Sequence, residues 1–490
     1  MKGISLAELI EDIRGCVVDG NPSLEISQIQ YDSRKIRTGD LFVAVQGDRE
    51  DGHSYVGDAV KRGAIAVVVE RDVEVPLEVT KVVVPDSRAA LSRVASVYFG
   101  RPSRRMEITG VTGTNGKTTT CYLLKSIYGA AGLNAGMITT VEYVIGHKKK
   151  RATLTTPESL DLQEILRSMA ESGVHAVAME VSSHGLVQKR VKDVDFSNAV
   201  FTNLTRDHLD FHGDMESYLS SKKMLFQAMT IGGIAAMNCD DPHWQEMVAD
   251  TRARVIKYGF SEGADLRATG IEATLQGTKI DVTWNGKSLE LESPLVGRHN
   301  AYNMMASAAA ALSSGVEDYS VALGIKRLKK VPGRVEAFDL PNGARAFVDY
   351  AHTPDALFKV LGSLKEVTGG RVICVFGCGG DRDKGKRPMM GEVSASLADH
   401  VIVTSDNPRR EDPASIILDI TKGIKGHNYK VEPDRRKAIE EALRMTGSGD
   451  CVLVAGKGHE DYQIVGELRL PFDDRKVISE LIERGELWSA

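Results

Sequence analysis

Ile108-Thr109-Gly110-Val111-Thr112-Gly113-Thr114-Asn115-Gly116-Lys117-Thr118-Thr119-Thr120 is the stretch that decides how this chain is read. A short apolar run, 106–111, enters a glycine-rich turn, and a helix-like segment follows at 121–131. Gly113 and Gly116 let the backbone curl so that several N–H groups point inward, and the helix N-terminus adds its positive dipole end. Lys117 supplies a point charge for β- and γ-phosphate, and Thr118 a hydroxyl for Mg²⁺. The spacing departs from the usual phosphate loop, because Val111 stands where that pattern has its first glycine and Gly110 and Gly113 flank it. Gly-Lys-Thr-Thr after a strand nevertheless points to nucleotide phosphate rather than to an ordinary strand–turn–helix.

Working outward, 490 residues suit about three domains of ordinary size. A formal charge of −5 leaves no basic footprint, which argues against a nucleic-acid binder. The cysteines (16, 121, 239, 374, 378 and 451) form no CxxC pair, as expected of reduced thiols in a cytoplasmic protein. Met-Lys-Gly-Ile-Ser-Leu-Ala-Glu-Leu-Ile-Glu-Asp puts acids where a signal peptide needs apolar residues, and no apolar run approaches a membrane span.

Residues 1–103 read as a small α/β unit. Leu6, Leu9, Ile10 and Ile13 share a helical face, and 26–31, 41–45, 65–69 and 81–84 are strand candidates. Helices are expected at 55–62 and 87–98. Two polar loops, Tyr31-Asp32-Ser33-Arg34 and Gln46-Gly47-Asp48-Arg49-Glu50-Asp51-Gly52-His53, read either as turns or as a grip on a phosphate-bearing ligand by Ser33 and Arg34.

Residues 104–332 form the phosphate-binding unit. The hydroxyl-rich Thr153-Leu154-Thr155-Thr156-Pro157-Glu158 opens a helix. The buried-strand pattern 175–180 ends in Glu180, where a nucleotide site needs a carboxylate for Mg²⁺, and Ser182-Ser183-His184-Gly185-Leu186 follows. A second strand, 198–202, runs into Asn203-Leu204-Thr205-Arg206-Asp207-His208-Leu209-Asp210-Phe211-His212, a crowding that marks a site. Lys222 on the helix 217–229 would not stand out on physics alone. An antiparallel hairpin is expected over 271–291 with its turn at Asn285-Gly286. Asn300 would serve as the N-cap of a small-residue helix, 304–312.

Residues 333–490 look like a second parallel α/β domain. Four strand ends carry polar loops: Asp349-Tyr350-Ala351-His352-Thr353-Pro354-Asp355; the glycine-rich 377–388; Ser405-Asp406-Asn407-Pro408-Arg409; and Gly456-Lys457-Gly458-His459-Glu460-Asp461. Ligands of open parallel sheets sit beyond the carboxyl ends of the strands, so these loops suggest one shared crevice.

Taken in order, the runs 113–119, 180–186 and 203–210, then Pro332-Gly333-Arg334-Val335-Glu336 and 349–354, resemble the Mur ligases of peptidoglycan synthesis. Asp406-Asn407-Pro408-Arg409 with 456–460 is similar to the branch of that family that adds diaminopimelate. The resemblance spans nearly the whole chain. It implies an α/β protein of three domains: a small UDP-sugar-binding α/β domain (1–103), a central ATP-binding P-loop mononucleotide domain (104–332) and an amino-acid-binding Rossmann-like domain (333–490). It implies an ATP-dependent amide ligase acting on small molecules, expected to be a monomer.

Carried over residue by residue, Tyr31, Ser33, Arg34 and the loop Asp48-Arg49-Glu50 would hold the UDP-muramoyl part, and Thr155, Thr156, Ser182, Gln188 and Arg190 its sugar–peptide tail. Gly113, Thr114, Asn115, Gly116, Lys117, Thr118 and Thr119 would bind ATP, with Asn300, Arg334 and Asp349 reaching adenine, phosphates and ribose. Thr118, Glu180, His208 and Lys222 would place two Mg²⁺ ions, Lys222 after carbamylation. Arg387, Asp406, Asn407, Pro408, Arg409, Gly456 and Glu460 match the diaminopimelate pocket. Either His208 or His352 would orient the incoming amine or take its proton. Leu154 departs from relatives that carry Asn before the Thr-Thr pair. Competing readings are a ligase adding L-lysine, a folylpolyglutamate- or cyanophycin-type ligase, and a P-loop switch or motor. Arg409 speaks against the first, the loops at 31–34 and 47–53 against the second, and the absence of an Asn-Lys-x-Asp motif against the third.

Overall fold

The computed structural model describes residues 3–47, 50–485 and 487–488. Asp48 and Arg49 lie outside the described residues. Near the N-terminus, the strands Val17–Asp19, Thr80–Val83, Ala64–Val69, Asp40–Val43 and Ile29–Gln30 form one sheet in that spatial order. Only the first pairing is antiparallel. The helix Ser87–Tyr98 forms as expected, capped by Asp86 on the N–H of Ala89. The helix Leu6–Ile10 stops before Ile13. The continuous strand expected at 26–31 is instead two short strands, Glu25–Ile26 and Ile29–Gln30. Ile26 and Ile29 are both buried, a spacing of three that no flat strand satisfies, and the Ser27 N–H turns aside to the Gly39 carbonyl.

The middle of the chain builds an 11-stranded sheet. Glu107–Thr112 sits between Ala176–Glu180 and Asn198–Phe201, parallel to both. The chain leaves that strand to form Ala135–Ile138 on one side and later returns to Asn198–Phe201 on the other, so Glu107–Thr112 lies at the switch point of the strand order. The following helix is Lys117–Ala130, beginning four residues before the apolar pattern suggested. Its first turn is threonines, which carry no apolar signal yet are buried. The expected hairpin at 271–291 is a three-stranded meander, Leu266–Thr274, Gly277–Trp284 and Lys287–Ser293, joined at its second turn by Asn285 and Gly286, both in the left-handed region. At the opposite edge a hairpin of Glu142–Ile145 and Lys148–Arg151 extends the sheet. Under the sheet runs Arg298–Ser313, buried on nearly every side through its second half, where 306–311 are all alanine or serine.

The C-terminal sheet has the order Glu336–Asp339, Arg345–Asp349, Cys451–Ala455, Val372–Phe376, His400–Val403, Tyr429–Val431. All neighbours are parallel except the first pair. The four strands followed by polar loops are therefore adjacent, and their carboxyl ends share one edge. Polar contacts join this part of the chain to the middle one. Arg151 forks onto Asp461 at 2.7 and 2.6 Å, and Asp355 accepts from Asn115 (3.2 Å) and Thr205 (2.9 Å).

Candidate active site

A cavity of about 600 Å³ opens beyond the strand Glu107–Thr112. Its floor is the phosphate loop, and its far wall comes from the C-terminal sheet through Asp349, Tyr350, Ala351, His352 and Thr353. Gly113 and Gly116 have φ of 145° and 88°. A Cβ on Gly116 would stand 2.3 Å from Asn303 Oδ1, and one on Gly113 would collide with the Thr202 hydroxyl, so the curl admits no side chain at either position. Lys117 donates to the carbonyls of Gly113 (2.8 Å) and Thr114 (2.7 Å), which hold its ammonium over the loop.

Lys222 is 1 % exposed. Its Nζ donates to the same Gly113 carbonyl at 2.9 Å and stands 4.4 Å from the centre of the Tyr218 ring. Burial, and then the charge of Lys117, push its pKa well below the usual lysine value, which favours the neutral amine. Nearby, the buried Glu180 accepts from the Thr118 hydroxyl (2.8 Å) and from the N–H (2.9 Å) and hydroxyl (3.1 Å) of Thr140. Thr118 in turn accepts from Arg334 Nη2 at 3.2 Å, so an Arg334–Thr118–Glu180 chain crosses the cavity.

His208 sits at φ 54° at the head of the short helix Leu209–His212. Its ring meets His184 edge-on at 5.0 Å, and burial lowers its pKa against the pull of Asp207. His352 places Nδ1 2.8 Å from the Tyr350 carbonyl, which can only accept. Nδ1 therefore carries the proton and Nε2 is bare in the neutral ring, the form that burial favours. Thr118, Glu180, His208 and Lys222 all line the cavity. Among the described residues no three His, Cys, Asp or Glu side chains gather closely enough to chelate an ion. A cation here would need oxygen ligands beyond these side chains to complete its shell.

Asn300 is not an N-cap. Gly297 precedes the helix, and Asn300 lies inside its first turn with Nδ2 on the Val296 carbonyl (2.9 Å) and Oδ1 accepting from Asn303 (2.9 Å). Asp349 is buried, its oxygens taking the N–H groups of Val335 (2.8 Å) and Ala351 (2.7 Å), and burial raises its pKa. Sequence reasoning missed several lining groups: Tyr218, Arg298, His299, Tyr302 and Asn303. Asn303 was open to discovery, since it lies one turn after Asn300 on the same helical face.

The expected diamino-acid residues stand outside this cavity, on the loops that follow the neighbouring strands of the C-terminal sheet and, for Arg387, on the helix Lys386–Leu397. Arg387 is 1 % exposed and committed to Glu411 (3.0 and 2.8 Å) and Asp419 (3.1 Å). That fork, first among several contacts, draws the Glu411 carboxyl down to about 2. In this arrangement Arg387 ties the loops 377–388 and 406–412 together. Asn407 gives Nδ2 to Glu460 (2.9 Å) and accepts from Lys457 (3.2 Å) and from the N–H of Ile464 (2.9 Å). Arg409 differs: its Nη1 donates to the Gly380 carbonyl (2.8 Å), and among the described residues its guanidinium has no carboxylate partner. The hairpin Tyr462–Val465 and Leu468–Pro471 holds this loop, through Gln463 on the Asp406 carbonyl (2.6 Å) and the Arg409 N–H on the Ile464 carbonyl (3.0 Å).

Of the residues expected to hold the sugar–peptide tail, Thr155 and Ser182 line the cavity. Thr156 bonds the Glu180 carbonyl (3.0 Å) and the Ser182 N–H (3.0 Å), while Arg190 spans the Thr156 carbonyl (2.9 Å) and Glu158 (2.8 Å). Thr155 accepts from Thr140 at 3.0 Å, and Gln188 is buried. Leu154 is half exposed, and its carbonyl accepts from Tyr143. On the small N-terminal sheet, Tyr31 donates to Asp161 (2.7 Å), Ser33 is buried, Arg34 forks onto Asp32, and Glu50 accepts from Tyr55 (3.2 Å).

Three family models match the chain in order: the Mur ligase family catalytic domain at 25–99, the Mur ligase middle domain at 111–311, and the Mur ligase glutamate ligase domain at 333–458. The chain belongs to the Mur ligase family. Among its relatives is the UDP-N-acetylmuramoyl-L-alanyl-D-glutamate–2,6-diaminopimelate ligase of Syntrophomonas wolfei, 41% identical over 99% of this chain and 100% of the relative. The enzyme of the same name from Solibacter usitatus is 44% identical, covering 94% of both chains. A solved structure of a ligase of that name superposes with a TM-score of 0.72 at 32% identity, covering 99% of each chain. MurF from Acinetobacter baumannii, at 22% identity and a TM-score of 0.68, shares the fold of this Mur ligase.

Proposed function

We propose that this Mur ligase joins meso-2,6-diaminopimelate to the glutamate γ-carboxylate of UDP-N-acetylmuramoyl-L-alanyl-D-glutamate, at the expense of ATP, in peptidoglycan precursor synthesis. The observation that carries the reading is the cavity lined on one side by the phosphate loop and on the other by Arg334, Asp349 and His352. In this reading residues 1–103 bind the UDP-sugar, 104–332 bind ATP and 333–490 bind the amino acid. The enzyme acts as a cytoplasmic monomer, and among the described residues no helix is long and apolar enough to cross a membrane.

Forming an amide in water requires a better leaving group on the carboxylate. The γ-carboxylate attacks the γ-phosphorus of ATP, ADP departs, and an acyl phosphate results. The amine then attacks the acyl carbon and inorganic phosphate leaves. The first step brings an anion to a polyanion, and Lys117 and Arg334 offset that repulsion from opposite walls of the cavity. Thr118, Glu180, His208 and carbamylated Lys222 would hold two Mg²⁺ ions, which supply charge neutralisation when bound. A neutral Lys222 amine, as burial favours, is the form able to add CO₂ and become an anion. His352, neutral and with Nε2 bare, accepts the proton released by the amine. Arg409 recognises the distal carboxylate that separates diaminopimelate from lysine.

The test is incubation with ATP, Mg²⁺, the UDP-muramoyl dipeptide and competing amino acids, with product identification. Phosphate release that requires both the dipeptide and diaminopimelate is the expected result. Release without either would overturn the reading. Lys222→Arg, whose guanidinium cannot carry a carbamate, is expected to abolish ligation while leaving ADP binding measurable by calorimetry.

A further inference from the structure

Behind the Asp406–Arg409 loop lies a buried arginine that no part of the reading so far uses. The side chain of Arg435, at the start of the helix Arg435–Arg444, is 0 % exposed. Its Nε and Nη2 fork onto Asp474 at 2.8 Å each. Nη2 also donates to the Ala455 carbonyl (2.9 Å), and Nη1 to the Ser405 carbonyl (3.4 Å). Those carbonyls lie at the ends of two strands, the ones that lead into Gly456 and into Asp406. One guanidinium thus pins both loops of the expected amino-acid pocket.

Asp406 shows what that pinning achieves. Its Oδ1 accepts the Asn407 N–H at 2.7 Å. Its Oδ2 is buried and has no hydrogen-bond partner among the described residues, with Arg435 Nη1 3.9 Å away. Facing Oδ2 is Gly456, at φ 113°, where a Cβ would stand 2.7 Å from that oxygen. Buried carboxylate oxygens are rarely left without a donor, and one held open against a glycine marks the place of an incoming donor. An ammonium group of the diamino acid has the charge and the N–H donors that Oδ2 lacks.

We propose that Arg435 is a positioning residue for ligation, which orients Asp406 so that Oδ2 meets an amino group of the diamino-acid substrate. Asp474 balances the arginine's charge, so the guanidinium can sit near Asp406 without closing an ion pair that would consume Oδ2. The proposal rests on the assignment of the Asp406–Arg409 loop to the amino acid. It adds that this pocket's geometry is set from the helices Arg435–Arg444 and Asp474–Arg484.

A double-mutant cycle separates the two claims. Asp406→Asn is expected to raise KM for diaminopimelate more than tenfold, with KM for ATP and for the UDP-muramoyl dipeptide within twofold. Arg435→Lys, which keeps the charge and loses the fork, is expected to raise KM for diaminopimelate about fivefold, and to add less than twofold once Asp406 is Asn. If Arg435→Lys fails to melt cooperatively, Asp474→Asn takes its place in the cycle with the same expectations. An unchanged KM for diaminopimelate in Asp406→Asn overturns the pocket assignment, and this proposal with it. A normal Asp406→Asn effect combined with an undiminished Arg435→Lys penalty in the double variant overturns the proposal alone. So does a fall in kcat with no change in KM for diaminopimelate.

Discussion

Arg409→Ala removes a guanidinium at the mouth of the Asp406–Arg409 loop that has no carboxylate partner among the described residues. A hydrogen bond to a charged group contributes about 1.5–3 kcal/mol, so a two-bond fork onto the distal carboxylate contributes about 3–6 kcal/mol. At about 1.4 kcal/mol per decade, kcat/KM for diaminopimelate should fall on the order of 10²- to 10⁴-fold. Arg409→Lys keeps the charge without the fork and should lose roughly tenfold. The cost to stability is small, because the side chain gives up only one hydrogen bond to the neutral Gly380 carbonyl, about 1 kcal/mol. The assay is coupled phosphate release, with diaminopimelate and ATP varied in turn. KM for ATP should stay within twofold. Losses equal for both substrates, or a variant within threefold of the parent on diaminopimelate, would refute the reasoning. Equal turnover of lysine and diaminopimelate by the parent enzyme would refute it as well.

Gly116→Ala must adopt φ 88° and place a methyl against Asn303, so calorimetry should show ADP affinity reduced at least tenfold; unchanged affinity would mean the loop opens freely. Acidification should destabilise the fold through half-buried histidines. Burial lowers His212 and His299 to about 4 and His459 to about 3, from 6.5, so the unfolded chain binds protons first. Stability is therefore full above pH 6.5 and lost as pH falls from there toward 4. Melting temperatures at pH 7 and pH 5 should differ, and His299→Gln with His459→Gln should shrink that difference.

The phosphate loop was legible in sequence because its signal is local: an apolar strand, two glycines that must lack side chains, then lysine and threonine. Glu180 and His208 were legible for a related reason, as polar residues packed just past a strand. The hairpin at 142–151 escaped notice because Lys148–Arg151 is an exposed edge strand with no alternation, its charges discouraging further pairing. The first turn of the meander, at Leu275 and Gln276, carries neither of the residues that announce Asn285-Gly286. Asn300 looked like a cap because polar residues before a helix usually are, yet the helix begins at Arg298. Arg387 and Arg435 could not be sorted by sequence. Which arginine is buried against a carboxylate and which is free depends on partners such as Asp419 and Asp474, contributed by other helices.

The clasp between Arg151 and Asp461, with the two bonds onto Asp355, bears on how the finished tripeptide escapes. The Arg151–Asp461 pair is about half exposed, and pairs of that kind contribute at most about 1 kcal/mol. With the two bonds onto Asp355, the sum is on the order of 2–3 kcal/mol. Arg334 on Thr118 and His299 beside Ser363 add further polar fastenings, and Val296 and Leu275 pack into the C-terminal core, so parting the two units to free the product must also break apolar contacts.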